Sequence, residues 1–188
     1  MKILAIMASP RKSSNTDLLL GEFIRGAKEA GAEVDVVDLG EKNISGCREI
    51  YACEKTGRCV INDDFDEIYD KLESCDQLVI ATPIFFYGPP AQLKALIDRT
   101  QAFYMRKYHL KNPIVAAGEP KRPMYLLALG GTDGEKIFDA TSLILKYFLI
   151  NLDMELKDKL LCRSVDRKAD ILKHPEMMEE AYKLGVRV

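Results

Sequence analysis

The sequence lacks a strong charge of either sign and a long apolar run, and its first residues do not read as a secretory leader. Its 27 Lys and Arg nearly balance 29 Asp and Glu, and the formal net charge is −2, so the overall field favours neither nucleic acid nor an acidic membrane surface. No segment approaches the roughly 20 apolar residues of a membrane span, and residues 1–8 lack the features of a signal peptide. We therefore expect a cytoplasmic protein with reduced cysteines that binds neither nucleic acid nor membranes.

Several signatures of known chemistry are also missing. Neither G-x-x-x-x-G-K-[ST] nor G-x-G-x-x-G occurs, which excludes a Walker loop and a dinucleotide fingerprint. No cysteine has an arginine six positions later, as the C-x5-R loop of small tyrosine phosphatases requires. The two histidines, His109 and His174, lie outside the loops described below, and we expect surface or capping roles for both.

The chain contains a regular alternation of strand and helix patterns. Apolar runs bounded by turn residues predict five strands, at 2–8, 33–39, 77–84, 123–129 and 154–161. Helical periodicity fills the intervals, at 15–30, 64–74, 90–106, 135–150 and 167–184. This alternation predicts an α/β fold with a doubly wound, five-stranded parallel sheet in the order 2-1-3-4-5, formed by one domain over residues 1–188.

Two stretches do not follow this pattern. Residues 40–63 show neither period and contain three cysteines. Loops of that length in a compact domain are usually functional or disordered, so we treat the segment as a cysteine-containing insertion. Residues 107–122 contain Pro113, Gly118 and Pro120, which break any continuous element. A lid, a subunit contact and a plain surface excursion all fit this second stretch.

The loop after the first strand, residues 9–16, concentrates hydroxyl, amide and cationic side chains at a predicted helix start. Ligands of doubly wound sheets bind beyond the carboxyl ends of the strands, where the winding reverses, and this loop lies there. Free N–H groups at a helix start bind phosphate, and Arg11 can add a charge-assisted pair. A capping box, Ser14-x-x-Asp17, explains one or two of these side chains without a ligand. A phosphate monoester fits better than a pyrophosphate because no dinucleotide motif is present.

The loop after the third strand, residues 82–90, holds three adjacent aromatic residues between prolines. Aromatic side chains can flank a planar ring, and Gly88 lets the backbone approach a ligand closely. Phe85 and Phe86 also fit a simpler role as core residues that end a buried strand.

A third loop follows the fourth strand and reads LGGTDG over 129–134. Its backbone donors can hold the far edge of a ring, with Gly130 and Thr132 as the candidates. An ordinary glycine turn capped by Thr132 or Asp133 explains the same sequence equally well.

These loops resemble those of the flavodoxin-like NAD(P)H-dependent FMN reductases, and more narrowly the iron-sulfur flavoprotein branch. The resemblance covers nearly the whole chain and is carried by SPRKSSNT at 9–16, TPIFFYG at 82–88 and QLKALIDR at 92–99. It implies a flavodoxin-like fold with bound FMN, NAD(P)H as co-substrate, and a homodimer or homotetramer in which a neighbouring subunit helps to close the flavin site. The residues that would hold the FMN phosphate are Ser9, Arg11, Ser14, Asn15 and Thr16. The residues that would line the ribityl chain and ring are Pro83, Ile84, Phe85, Phe86, Tyr87 and Gly88.

The sequence departs from the iron-sulfur branch in its cysteines. That branch carries C-x2-C-x2-C and then a fourth cysteine, and the corresponding residues here are Cys47, Ile50, Cys53 and Cys59. Isoleucine cannot ligate iron, whereas a cubane cluster wants four protein ligands. Cys75 and Cys162 flank predicted strands, where a buried hydrophobic role is expected. We therefore expect no metal site, and a cluster-free loop that shapes the flavin pocket or a subunit interface.

The predicted function is an FMN-dependent oxidoreductase that passes electrons from NAD(P)H to a second acceptor, such as a quinone, a flavin or a redox protein. The flavin carries the chemistry, so no catalytic side chain is expected. The alternative is a flavodoxin-like or iron-sulfur flavoprotein electron carrier reduced by a partner protein. Small carriers of that kind tend to be strongly acidic, and a net charge of −2 is weak for docking by charge. A ligand-sensing protein without turnover is a third possibility.

Overall fold

The computed structural model describes residues 1–188 and contains one parallel sheet of five strands in the order β2-β1-β3-β4-β5. The strands are β1 (Lys2–Met7), β2 (Glu33–Asp38), β3 (Gln77–Pro83), β4 (Arg122–Leu129) and β5 (Met154–Cys162). All four neighbouring pairs are parallel. The predicted doubly wound fold and strand order are therefore confirmed.

Seven α-helices connect and follow the strands: α1 (Asn15–Glu29), α2 (Cys53–Thr56), α3 (Phe65–Ser74), α4 (Ala91–Arg99), α5 (Gln101–Tyr104), α6 (Asp139–Asn151) and α7 (Pro175–Val186). A π-helical turn, Met105–His109, follows α5, and short 3₁₀ turns occupy Leu39–Glu41 and Asp170–Lys173. None of the helices is both long enough and apolar enough to span a bilayer.

Alternate residues of each central strand enter two separate cores, one on each face of the sheet. Leu4 and Ile6 of β1 pack with α3, α4 and α6, whereas Ile3 and Ala5 pack with α1 and α7. Central parallel strands are covered on both faces and read as continuous apolar runs. The edge strands β2 and β5 are largely exposed, as their alternating sequences predict.

Two glycines let α1 and α7 approach each other at backbone distance. A Cβ atom on Gly185 would overlap the carbonyl oxygen of Phe23, and a Cβ atom on Gly26 would overlap that of Tyr182. The helix that precedes the sheet's second strand is thereby locked to the helix that follows its last strand.

Three predicted helices have different limits in the structure. The helix predicted over 90–106 is interrupted at Thr100, the helix predicted over 135–150 begins at Asp139, and the last helix begins at Pro175 instead of residue 167. Proline is favoured in the first helical turn because its missing N–H has no partner there. Residues 110–121 form no helix or strand, and the N–H groups of Ile114 and Val115 bind Asp153 at 2.9 and 3.2 Å. These two bonds tie the second irregular stretch to the start of β5.

Candidate functional site

The carboxyl ends of β1, β3 and β4 border a crevice of about 160 Å³. Its lining comprises Ser9, Pro10, Arg11, Ser14, Asn15, Thr16, Pro83, Ile84, Phe85, Leu129, Gly131, Val165 and Asp166. Eight of these thirteen were site candidates from the sequence, five from the first loop and three from the second. The first two predicted loops therefore meet in one place.

The first loop turns sharply and delivers the start of α1 to the crevice. Ser13 has a positive φ of 52°, and Ser14 is the N-cap, whose hydroxyl oxygen accepts from the Asp17 N–H at 3.1 Å. The predicted cap is thus present. It leaves the N–H groups of Asn15 and Thr16 without partners inside the helix, as the first turn of a helix requires. These N–H groups and the positive end of the helix dipole favour an anion.

The two cations of this loop have different environments. Lys12 pairs with Glu41 at 2.8 Å outside the crevice. Arg11 lines the crevice and makes no ion pair with the rest of the chain. The oxygen of Ser9 accepts from the Arg11 N–H at 3.2 Å, which fixes the backbone beside it. The free guanidinium, the buried Thr16 and the open N–H groups form a donor set that fits one phosphate group.

The side chain of Asn15 is engaged elsewhere in the chain. Its amide donates to the carbonyl of Arg167 at 2.7 Å, and its oxygen accepts from the Ile171 N–H at 3.2 Å. Asn15 therefore ties the start of α1 to the segment after β5. Its contribution to the crevice itself is the backbone N–H.

The second loop ends in a tight two-residue turn. Phe85 and Gly88 exchange backbone hydrogen bonds of 2.9 and 3.0 Å, and the central residues Phe86 and Tyr87 have φ values of +49° and +65°. Turns with two such residues normally contain Asn and Gly, because other side chains are strained there. Phe86 is fully exposed, and Phe85 and Tyr87 are about half exposed. The core role considered for Phe85 and Phe86 is therefore excluded. Phe85 lines the crevice, whereas Phe86, Tyr87 and Gly88 lie outside its lining.

The third loop meets the crevice through a different residue than the sequence suggested. The N–H of Gly130 donates to the carbonyl of Cys162 at 2.8 Å, and the carbonyl of Gly130 accepts from the N–H of Val165 at 3.0 Å. Both backbone groups are therefore occupied. Gly131 lines the crevice, whereas Gly130 and Thr132 do not.

Sequence reasoning also missed Val165 and Asp166 of the crevice lining. Both follow β5, whose carboxyl end lies at the same edge of the sheet. That position after a predicted strand is the feature of the sequence that could have identified them. Asp166 lies so close to Gly131 that a Cβ atom there would be 3.1 Å from its carboxylate, tighter than an ordinary van der Waals contact. Asp166 is the one acidic residue in the crevice lining, and the lining contains no histidine.

Residues 1–132 match the family model for NADPH-dependent FMN reductases. The chain belongs to the NADPH-dependent FMN reductase family. An iron-sulfur flavoprotein of Methanocaldococcus jannaschii is 33% identical over 154 residues, 80% of this chain and 72% of that relative. One of Methanosarcina thermophila is 40% identical over 117 residues, 62% of this chain and 61% of that relative. The match to the second relative thus spans about three fifths of its length. The predicted family and its iron-sulfur branch are confirmed as the chain's relatives.

Solved structures of FMN-reductase-like proteins share the fold. An NAD(P)H:quinone oxidoreductase from Methanothermobacter marburgensis superposes with a TM-score of 0.72, covering 100% of this chain and 95% of that one at 20% identity. Family membership agrees with FMN and a nicotinamide donor as the predicted cofactor and co-substrate. It leaves the acceptor open.

The donor set of this family member does not fit the cluster that the name of the iron-sulfur relatives implies. Four thiolates normally hold such a cluster, and Ile50 occupies one of the four corresponding positions without a donor atom. No group of three or more His, Cys, Asp or Glu side chains is placed to hold a metal ion. Cys75 and Cys162 are buried, as predicted, and burial raises the pKa of their thiols to about 11 and about 12. Each belongs to one of the two hydrophobic cores and lies outside the lining of the crevice.

Proposed function

We propose that the protein is an FMN-dependent oxidoreductase that takes electrons from NAD(P)H and passes them to a second acceptor. The observation that best supports this proposal is that Arg11, which makes no ion pair, lies beside the free N–H groups at the start of α1. Both lie at the point where the winding of the sheet reverses, in a chain of this family. FMN, when bound, would supply the capacity to accept a hydride and release its electrons to another molecule. The protein's own residues would bind the cofactor and orient it.

The crevice residues divide the binding task among them. Arg11, Thr16 and the N–H groups of the first turn would hold the phosphate, and Asp166 would accept hydrogen bonds from the sugar-chain hydroxyls. One phosphate cradle without a dinucleotide motif supports FMN over FAD. A crevice of about 160 Å³ is smaller than the roughly 300–1,000 Å³ of most small-molecule sites. The flavin ring would therefore extend past Phe85 onto the exposed aromatic turn.

The exposed turn supports a homodimer or homotetramer in which a second copy covers the ring. Phe86 is fully exposed, and Leu143, Tyr147 and Leu156 add further exposed apolar side chains on α6 and β5. We expect these side chains to pack against a second copy, because large apolar and aromatic side chains are frequent in subunit contacts. Sedimentation at micromolar concentration tests this, and a monomer with tightly bound, solvent-shielded FMN would contradict it.

Substitution of Arg11 tests the phosphate site. Arg11→Ala removes a charge-assisted contact, so FMN affinity should fall by about ten- to a hundredfold, which corresponds to about 1.5–3 kcal/mol. Lys12→Ala is the matched control, because that cation pairs with Glu41 outside the crevice, and it should change the affinity by less than about threefold. Flavin fluorescence titration of the apoprotein measures both. Equal losses in the two variants would contradict a specific Arg11 contact.

Anaerobic rapid mixing separates a reductase from a carrier. NADH or NADPH should bleach the visible absorbance of the bound flavin directly. The names of the iron-sulfur relatives favour the carrier as the second candidate. Flavin that stays oxidised with both nicotinamides, yet accepts electrons from a reductase protein, would establish that alternative.

A further inference from the structure

A second cavity of about 510 Å³ lies between the cysteine-containing insertion (residues 40–63) and the helices α4 and α5. It shares no lining residue with the flavin crevice. The expectation that the cysteine loop shapes the flavin pocket therefore has no support within one chain. The cavity instead falls within the roughly 300–1,000 Å³ typical of small-molecule sites.

The frame of this cavity is held by a buried cation. The guanidinium of Arg99 has no exposed surface and bonds Asp63 at 2.7 Å, the carbonyl of Ser45 at 3.0 Å and that of Ile61 at 3.0 Å. Both ends of the segment 45–61 are thus attached to one side chain. The Tyr69 hydroxyl donates to the Gly57 carbonyl at 2.9 Å and fixes the middle. These bonds hold both ends and the middle of the segment that forms most of the cavity wall.

The wall of the cavity is mainly apolar. Eight of its twelve lining residues are hydrophobic, and Ile50, Tyr51 and Val60 remain about half exposed. Ile50 lies between Glu49 and Tyr51, whose φ values are +52° and +60°. Such strain persists where the surrounding structure imposes it, and it concentrates at ligand sites.

The polar groups of the wall leave no net charge for an ionic ligand. Arg48 and Glu49 have opposite signs, and Asp98 is neutralised by Lys94 at 2.8 and 2.9 Å. The amide of Gln101 makes no side-chain hydrogen bond and is free to donate to a carbonyl or accept from a hydroxyl.

We propose that this cavity binds a neutral aromatic compound that carries carbonyl or hydroxyl groups, of the quinone and hydroquinone class. The ring would lie against Ile50, Tyr51 and Val60, and a ring oxygen would meet Gln101. The absent cluster ligand at position 50 is thus an apolar contact of an organic site. The site serves a reductase and a carrier alike, so it does not rest on the proposed function.

Equilibrium dialysis of duroquinone against the oxidised, FMN-loaded protein tests the proposal without any nicotinamide. Duroquinone is neutral, and its fully substituted ring does not add to thiols. Ile50→Asp places a charge in the apolar wall and should weaken binding by at least about tenfold. Leu172→Asp is the matched control, because Leu172 is 57% exposed against 55% for Ile50 and lies outside both the cavity and the proposed subunit contact. The control should bind duroquinone as the wild type does.

A second measurement needs no variant. Saturating duroquinone should slow alkylation of Cys47, Cys53 and Cys59 by at least about threefold, with the buried Cys75 and Cys162 unreactive throughout. Mass spectrometry of the labelled peptides reports each thiol separately.

Three outcomes would overturn the proposal. The first is no saturable binding at about 1 mM. The second is binding that Ile50→Asp leaves unchanged and Phe86→Ala removes, because the compound then occupies the flavin edge. The third is about four iron and four sulfide per chain after anaerobic purification, because the cavity then holds a cluster. Failure of the proposed function would show instead as loss of FMN binding or of its reduction, which these assays do not require.

Discussion

Phe86 and Tyr87 occupy a turn whose backbone suits neither residue. A left-handed conformation costs a residue with a Cβ atom about 1–2 kcal/mol, and both central positions of this turn are left-handed. The sequence retains two aromatic rings at a place where Asn and Gly would be more stable. We therefore expect their rings to contribute to ligand binding or to a subunit contact, in line with the proposed flavin ring site.

Replacing the pair by the residues that the turn prefers should separate stability from binding. Phe86→Asn with Tyr87→Gly should raise the free energy of unfolding of the apoprotein by about 1–2 kcal/mol and weaken FMN binding. Urea denaturation and flavin titration measure the two effects. Phe86→Ala with Tyr87→Ala is the control, because it removes the rings and keeps the strained backbone. A gain in stability from the alanine pair would refute the strain argument.

Asp63 should make the free energy of unfolding depend on pH in the acidic range. Burial would raise the pKa of its carboxyl, but hydrogen bonds from Arg99, from Ser45 and from the Phe65 N–H outweigh burial and lower the pKa from 3.8 to about 2. A carboxylate with a lowered folded pKa stabilises the protein above its unfolded pKa, and the contribution is lost as the pH falls through the folded value. The difference is worth about 2 kcal/mol, lost between about pH 4 and pH 2.

Asp63→Asn should remove that pH dependence and leave Arg99 buried without its carboxylate. The expected loss at neutral pH is about 3–5 kcal/mol, as for other broken buried pairs. Asp66→Asn, an exposed neighbour without an ion pair, should cost less than about 0.5 kcal/mol. Denaturant midpoints between pH 7 and pH 2.5 give both numbers. An unchanged acid limb in Asp63→Asn would assign the acid sensitivity to other groups.

The contact between α1 and α7 depends on the absence of two side chains. Gly185→Ala should destabilise the protein by about 1–3 kcal/mol, because the new methyl group meets the backbone of α1. Gly21→Ala in α1 has nothing within 4 Å and should instead stabilise by about 0.5–1 kcal/mol through helix propensity. Thermal or urea unfolding of each variant shows whether its free energy of unfolding falls or rises. A stabilising Gly185→Ala would mean that the two helices can separate freely.

Local sequence signals were sufficient for the strands and insufficient for some helices. Each predicted strand end lies within one residue of the observed one, because continuous apolar runs are bounded by clear turn residues. The last helix starts eight residues later than predicted. The intervening segment is held by the Asn15 side chain, which is 152 and 156 positions away in sequence. Contacts of that range leave no periodic trace.

The same limit applies to the candidate site. The first two loops could be identified because their composition is unusual and the topology brings them together. Val165 and Asp166 have ordinary composition, and only the completed sheet places them at the crevice. The left-handed turn at Phe86 was also unpredictable, since aromatic residues are disfavoured in that conformation.

Ligand binding should be visible in the stability of the protein as a unit. FMN at about a hundredfold excess over its dissociation constant should stabilise the fold by about 2.7 kcal/mol and raise Tm by about 5–10 °C. Riboflavin has the same ring and no phosphate, so at equal concentration it should give a much smaller shift. Differential scanning fluorimetry measures both. Equal shifts would place the binding energy in the ring and contradict the phosphate cradle.

The lock between α1 and α7 also sets when the protein can mature during its synthesis. Tyr182 of α7 bonds Glu29 of α1 across 153 positions of sequence, and ribosomes add about 5–20 residues per second. The apolar face of α1 consequently stays uncovered for roughly 8–30 s after it is made. The partners of Asn15 arrive equally late, so the first turn of α1 is secured only after residues 167–171 have been synthesised. Flavin loading should therefore follow release of this segment from the ribosome, and the nascent chain should be a substrate for chaperones that bind exposed apolar helices.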